Sequence, residues 1–114
     1  MEHLFKALGD ENRLRMINLL QGEELCVCEI EAILDTSQSN VSRHLTKLRS
    51  EDIVIFKKKA QWTYYQIDPV FIRDNENLYH YLIEKMQQKE TFQDDLEQLS
   101  LYKEGKIHCG LMAN

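Results

Sequence analysis

The feature that most constrains the fold is a change of hydrophobic period in the middle of the chain. Val41, Leu45 and Leu48 recur at helical spacing and predict an amphipathic helix. β-branched and aromatic residues follow in two runs, 53–56 and 62–67, separated by Lys-Lys-Lys-Ala-Gln. Such runs around a short polar segment are typical of a β-hairpin. The chain is therefore expected to be mainly helical with a small β-hairpin.

Another helix is expected directly before the amphipathic helix that contains Val41, Leu45 and Leu48. Apolar residues recur at helical spacing between positions 25 and 34, and the Asp-Thr-Ser turn at 35–37 ends in a serine, which is a favoured N-cap. Two helices joined by a tight turn, the second with a polar outer face, predict a helix-turn-helix over about residues 26–50. With the hairpin as its wing, over about 53–68, the expected fold class is a winged helix-turn-helix.

The remaining segments are expected to extend one domain covering residues 1–114. Helical patterns over about 70–100 and in the short N-terminal segment 3–8 predict that the two chain ends pack together, leaving a tail at 101–114. A chain of this size gains buried area by dimerising through such helices. The sequence contains neither a membrane-length apolar run nor a signal-peptide pattern, which predicts a cytoplasmic homodimer with no membrane partner.

The distribution of charge points to a nucleic-acid partner. The net charge of −5 argues against DNA, because non-specific affinity comes from neutralising phosphates. Between positions 43 and 59, however, six basic residues stand against two acidic ones. Arg43 is suited to donate to guanine, and Ser39 and Ser42 to anchor phosphates. The expected outer face of the helix carries Ser39, Asn40, Arg43, Thr46 and Lys47, and the expected basic tip of the hairpin carries Lys57, Lys58 and Lys59.

Two cysteines one residue apart, Cys26 and Cys28, precede this segment. Thiolates select soft ions, and cysteines in the cytosol are usually reduced. On a regular helix, residues i and i+2 project about 200° apart, so both sulfurs can hold one ion only if the backbone bends. Our hypothesis is that ion binding unwinds the start of the first helix and misorients the helix that begins near Gln38.

Four segments resemble, in order and spacing, the ArsR/SmtB metal-responsive repressors: residues 7–14, 24–28, 37–45 and 62–65. The Cys-Val-Cys block in the second segment is specific to the thiolate-sensing branches and indicates the arsenic-responsive one. The resemblance implies a homodimeric transcriptional repressor that binds operator double-stranded DNA and dissociates when a metal or metalloid binds. It implies that the inducer ligands are Cys26 and Cys28, that the wing is 57–61, and that the major groove is contacted by Gln38, Ser39, Asn40, Ser42 and Arg43.

The expected inducer is As(III), with Sb(III), Cd(II) and Pb(II) kept open and no organic cofactor. Three departures from the family pattern bear on this. Arsenic-sensing relatives often have a third cysteine where this chain has Glu31, so Cys109 is the candidate third ligand. Cadmium- and lead-sensing relatives use cysteines in a long N-terminal extension that the sequence lacks. Ala60 replaces a wing glycine, so the hairpin must close through a residue that disfavours positive φ.

The sequence leaves several alternative functions open. The same family offers a cadmium- or lead-sensing repressor, and the four glutamates around the cysteines would favour a cation. The chain is also compatible with a metal-independent DNA-binding regulator, and less well with a redox sensor, since adjacent thiols form a strained ring. His80 and Glu84 share a helix face, a weak signal for zinc. No Cys-x-x-Cys motif or phosphate-binding loop is present, so an enzyme is not expected.

Overall fold

The computed structural model describes residues 1–105 of the chain as helices surrounding a small antiparallel sheet. The helices are α1 (Glu2–Leu8), α2 (Glu11–Leu19), α3 (Val27–Leu34), α4 (Gln38–Ser50), α5 (Pro69–Asp74), α6 (Glu76–Gln87) and α7 (Glu90–Lys103). The strands are β1 (Leu25–Cys26), β2 (Val54–Lys59) and β3 (Trp62–Ile67). None of the described helices is long and apolar enough to cross a bilayer.

The helix-turn-helix expected from the sequence is confirmed as α3 and α4. The left-handed conformation of Asp35, with φ of 53°, ends α3, and the side chain of Ser37 accepts the backbone N–H of Asn40 to begin α4. Val41, Leu45 and Leu48 are fully buried, as their spacing predicts. Because α3 and α4 pack against each other, a movement of α3 displaces α4.

The hairpin is confirmed, but its sheet contains one more strand than expected. The strand order is β1-β3-β2, and Leu25 of β1 pairs with Tyr65 of β3. A strand of two residues carries too little pattern to be recognised in sequence. The assignment of the lysines to the hairpin tip was wrong, since they belong to β2 and only Ala60 and Gln61 lie between the strands. Ala60 closes the turn with φ of 57°, the positive φ that its position predicted.

The packing of α2 against α7 forms one part of the core. Asp10 caps α2 by accepting the backbone N–H of Arg13. The guanidinium of Arg15 donates two hydrogen bonds to the buried carboxylate of Asp95, at 2.7 and 2.9 Å, and so ties α2 to α7. Such a bidentate pair fixes the relative orientation of the two helices.

The helical region expected over about 70–100 consists of three helices, α5, α6 and α7. The chain breaks at Asn75 between α5 and α6, and Tyr81 of α6 is 57% exposed. Met86 of the same helix is buried. A mainly apolar cleft of about 500 Å³ lies between the α1–α2 junction and the α6–α7 junction. The cleft brings the end of α1 near the end of α6, whereas the last turn of α7 contacts Glu23 and Glu29.

Candidate thiol site and nucleic-acid interface

The two cysteines lie at a junction between strand and helix. Cys26 is the last residue of β1 and the N-cap of α3, with an extended backbone (φ −89°, ψ 168°), whereas Cys28 is the second residue of the helix. The premise that both stand on one regular helix was therefore wrong. Cys26 is a free thiol that is only 7% exposed, and Cys28 takes part in a disulfide in this structure. The thiol chemistry of Cys26 and Cys28 belongs to the reduced protein, in which that disulfide is open.

Cys26 and Glu29 form a capping box at the start of α3. The side chain of Cys26 accepts the backbone N–H of Glu29, and the carboxylate of Glu29 accepts the backbone N–H of Cys26 at 2.9 Å. This is the Ser/Thr-x-x-Glu pattern with sulfur in place of the hydroxyl. The sequence Cys-x-x-Glu carried this signal, but the part of Glu29 in the cap was not predicted.

The environment of Cys26 favours the neutral thiol. Burial raises the pKa of Cys26 above its ordinary value, and the Glu29 carboxylate adds to this. The backbone N–H groups of Glu29 and Cys28 act in the opposite direction but do not outweigh burial. At neutral pH the side chain is accordingly a protonated, soft sulfur ligand.

The donors available to an ion are few. Among residues 1–105, no three or more His, Cys, Asp or Glu side chains are grouped so that they could hold a metal ion. The possible zinc pair, His80 and Glu84, is exposed on α6 and belongs to no such group. The proposed third thiol, Cys109, lies outside the described residues. The described part of the thiol site thus consists of Cys26 and Cys28.

The end of α7 contacts the thiol site. The hydroxyl of Tyr102 donates to the carboxylate of Glu29 at 2.6 Å, and the Nζ of Lys103 lies 2.6 Å from the carboxylate of Glu23. Burial and the hydrogen bond to Glu29 raise the pKa of Tyr102. No local sequence pattern could have shown these contacts, because the partners stand more than 70 positions apart along the chain.

The residues predicted to contact DNA lie on one helix and one strand. Gln38, Ser39 and Arg43 are exposed on α4, and the three lysines are exposed on β2. Asn40, Ser42 and Lys47 are half-buried. The side chain of Asn40 is already engaged, since its amide donates to Thr36 at 3.0 Å and its oxygen accepts from Arg43 at 2.7 Å. Asn40 thus orients Arg43 on the exposed face.

His44 connects the exposed face of α4 to the N-terminal helices. It is 2% exposed, with Nδ1 3.2 Å from Arg13 and Nε2 3.4 Å from Arg43. Arg13 also donates to the carbonyl oxygens of Lys6 and Ala7 at the end of α1. Burial and the charges of Arg43 and Arg13 lower the pKa of His44, so it packs as a neutral ring. His44 thus belongs to the packing between α4 and the N-terminal helices.

The positive charge of the wing is partly neutralised by a carboxylate of the same chain. The carboxylate of Glu24 lies 2.5 Å from the Nζ of Lys57 and 2.6 Å from that of Lys59. Hydrogen bonds from these two lysines lower the pKa of Glu24. Arg49 of α4 stacks on the ring of Phe56, 4.0 Å from its centroid, which fixes the wing against the helix. Glu24 therefore links the wing to the strand that carries Cys26.

Comparison with known proteins identifies relatives of this chain. Residues 10–55 match the family described as bacterial regulatory protein, arsR family. The arsenic resistance transcriptional regulator ArsR1 of Pseudomonas putida is 46% identical over 67 residues, which are 58% of this chain and 52% of that protein. The cadmium resistance regulatory protein CadC of Listeria innocua is 41% identical over 69 residues, 60% of this chain and 58% of that protein. The chain thus spans little more than half the length of these relatives.

Two solved structures share the fold. Reduced HlyU from Vibrio cholerae is 35% identical, with a TM-score of 0.60, and the match covers 70% of this chain and 84% of that one. The homodimeric winged helix-turn-helix DNA-binding domain Mb0332 from Mycobacterium bovis, described as a possible ArsR-family regulator, is 25% identical with a TM-score of 0.63. That match covers 71% of this chain and 72% of the other. The winged helix-turn-helix predicted from the sequence is confirmed.

Proposed function

The chain belongs to the arsR family of bacterial regulatory proteins, and we propose that it is an arsenic-responsive transcriptional repressor. It binds operator double-stranded DNA as a homodimer through α4 and the wing, and it releases the DNA when As(III) binds Cys26 and Cys28. The position of Cys26 is the observation that carries this proposal. Its sulfur caps the first helix of the helix-turn-helix, so a ligand that takes the sulfur also removes the cap.

The chemistry suits a neutral metalloid. Arsenous acid condenses with two thiols, so that two As–S bonds form, two As–O bonds break and two water molecules leave. The ligands are soft sulfur atoms one residue apart, and the buried Cys26 supplies one of them as a free thiol. As(III) is the species in this proposal that needs no compensating negative charge from the surrounding carboxylates.

Release of DNA requires more than loss of the cap. A 100-fold loss of operator affinity corresponds to about 2.7 kcal/mol, whereas an N-cap contributes about 0.5–2 kcal/mol. The remainder must come from the packing of α3 on α4, which the shift of the first turn disturbs. We propose that the start of α3 unwinds by opening of the capping box formed by Cys26 and Glu29.

On the DNA side, the exposed guanidinium of Arg43 is proposed to read guanine in the major groove, with Gln38, Ser39 and Ser42 beside it. Asn40 accepts a hydrogen bond from Arg43 and thereby holds it in place beside these residues. Lys47, Lys57, Lys58 and Lys59 are proposed to contact phosphates.

A cadmium- or lead-sensing repressor is the second candidate, supported by the similarity to CadC. Three of the four glutamates around the cysteines attract a cation less strongly than free carboxylates would, because they are bound to other groups of the protein. Glu24 is paired with two lysines, Glu23 with Lys103, and Glu29 is bonded to Cys26 and Tyr102. Their charges are largely engaged within the protein, so they offer a dication little additional attraction.

A titration of fluorescent operator-like DNA tests the proposal. The reduced protein, freed of thiol reductant under nitrogen, is bound at fixed salt, and arsenite, antimonite, cadmium, lead and zinc are added separately. The control is Cys26→Ser/Cys28→Ser, in which serine retains an N-cap oxygen while both thiols are lost. Release by arsenite that disappears in this variant supports the proposal. Release only by cadmium or lead moves the assignment to the second candidate, and failure of every ion to release DNA rejects both.

Cys109 enters as a candidate third ligand. A Cys109→Ala variant keeps the proposed pair intact, so its arsenite response separates two thiols from three. An unchanged arsenite concentration at half-release assigns the response to Cys26 and Cys28 alone. A higher concentration assigns a third As–S bond to Cys109.

A further inference from the structure

We propose that Tyr102 at the end of α7 is a positioning residue that holds the cap of α3 closed and thereby sets the inducer concentration at which the protein responds. This inference deepens the proposed function and, for its arsenite response, rests on it. The juxtaposition that carries it is the carboxylate of Glu29, which lies between the N-cap of α3 and the last turn of α7.

The two oxygens of this carboxylate have separate partners. Oε1 accepts the backbone N–H of Cys26 at 2.9 Å, and Oε2 accepts the hydroxyl of Tyr102 at 2.6 Å. Hydrogen bonds to a charged acceptor are stronger than those between neutral groups, and both are at least partly buried. The hydroxyl of Tyr102 therefore fixes the side chain that completes the capping box.

A second contact fastens the segment on the other side of Cys26. Lys103, the next residue of α7, pairs with Glu23 at 2.6 Å. Residues 23–29 are thus attached to α7 both before and after the cysteine that caps α3. Since α7 is anchored to α2 through the Arg15–Asp95 pair, it offers a fixed support for this segment.

The capping box couples the Cys26 cap of α3 to the contact between Glu29 and α7. When an inducer binds the sulfur of Cys26, the backbone N–H of Glu29 loses its acceptor and the first turn of α3 must move. Movement of that turn carries Glu29 away from Tyr102. The Tyr102–Glu29 hydrogen bond therefore stabilises the closed form alone, and every inducer must overcome it.

Tyr102→Phe removes the hydroxyl and leaves the ring. Half-release of operator DNA should then occur at about a tenfold lower arsenite concentration, equivalent to about 1.4 kcal/mol. Affinity for DNA without arsenite should change by less than about twofold, because the closed form still predominates. Tyr81→Phe is the matched control, since it removes a hydroxyl from a tyrosine that is mostly exposed on α6. Its arsenite response should equal that of the wild type.

A second measurement does not depend on arsenite. In a Cys28→Ala/Cys109→Ala chain, Cys26 is the remaining thiol, and its labelling by a thiol reagent reports opening of the cap. Adding Tyr102→Phe should speed labelling about tenfold. Adding Glu29→Ala should speed it as well, and combining Glu29→Ala with Tyr102→Phe should give no further increase if Tyr102 acts through Glu29. Urea-unfolding midpoints measured in parallel distinguish local opening from global destabilisation.

The outcomes separate the two proposals. An unchanged labelling rate in the Tyr102→Phe chain overturns the positioning role, whatever arsenite does to the wild type. Additive effects of Glu29→Ala and Tyr102→Phe overturn it also, because Tyr102 then acts elsewhere. Faster, non-additive labelling together with a wild type that arsenite fails to release from DNA retains the positioning role and rejects the arsenic-responsive function.

Discussion

Replacing Glu24 by glutamine should strengthen DNA binding and make it more sensitive to salt. The carboxylate of Glu24 pairs with Lys57 and Lys59, so two of the three wing lysines are partly neutralised before they meet DNA. Glutamine retains the size and hydrogen-bonding capacity of the side chain but removes its charge. Both lysines are then available to phosphates.

The expected magnitude follows from counting phosphate contacts. Each phosphate neutralised contributes about 0.9 to the slope of log K against log salt concentration. Glu24→Gln should steepen the slope by about 0.9 to 1.8 per wing, according to whether one lysine or both are freed. A slope steeper by about 0.9 corresponds to about an eightfold increase in affinity between 1 M and 0.1 M salt. The urea-unfolding midpoint should hardly change, because exposed ion pairs contribute little to stability.

Fluorescence anisotropy over a salt series measures both quantities on specific and on random DNA. Glu97→Gln is the matched control, because it removes the same charge from the exposed surface of α7. The freed lysines contact the backbone, so the gain should be similar on both DNAs. If Glu24→Gln changes the slope no more than Glu97→Gln does, the wing lysines do not contact phosphates and the assignment of the wing is refuted.

Three further predictions concern the recognition helix and the core. Arg43→Ala should weaken operator binding by about 1–3 kcal/mol and relax sequence preference. Lys58→Ala should weaken binding to all DNA alike and reduce the salt slope by about 1. If Arg43→Ala loses the same affinity for operator and for random DNA in anisotropy titrations, Arg43 does not read a base. Asp95→Ala should lower the free energy of unfolding in urea by about 3 kcal/mol, because it leaves Arg15 without its buried partner, and a loss no larger than that of an exposed pair would contradict this. Because the pKa of His44 is lowered in the folded protein, the unfolded chain takes up the proton first as the pH falls below about 6.5, and stability should decrease over that range. His44→Gln should flatten the decrease between about pH 7.5 and about pH 5.5 in urea titrations, and an unchanged slope would show that another group causes it.

Local pattern was sufficient to predict much of the fold. The α3–α4 pair, its turn and the hairpin each depend on residues close together in sequence, such as the serine cap of α4 and the buried stripe of Val41, Leu45 and Leu48. Hydrophobic period and capping chemistry act over a few residues, so a single sequence displays them.

Features that depend on distant partners were not predictable. The strand β1 exists because Leu25 and Cys26 pair with Tyr65 and Tyr64, and this pairing moves Cys26 out of the helix. The contact of Tyr102 with Glu29 and that of Glu24 with the wing lysines likewise require the tertiary structure. Periodicity describes which face of an element is buried, but it does not specify which polar groups meet across the core.

The affinity of the reduced protein for operator DNA, measured with and without one equivalent of arsenite per subunit, tests the central claim most directly. A competition titration at fixed salt gives both affinities on the same scale. We predict that arsenite weakens binding at least about 100-fold, or about 2.7 kcal/mol, and that Cys26→Ser/Cys28→Ser shows no such difference. Arsenite that binds both thiols yet leaves operator affinity unchanged would contradict the account.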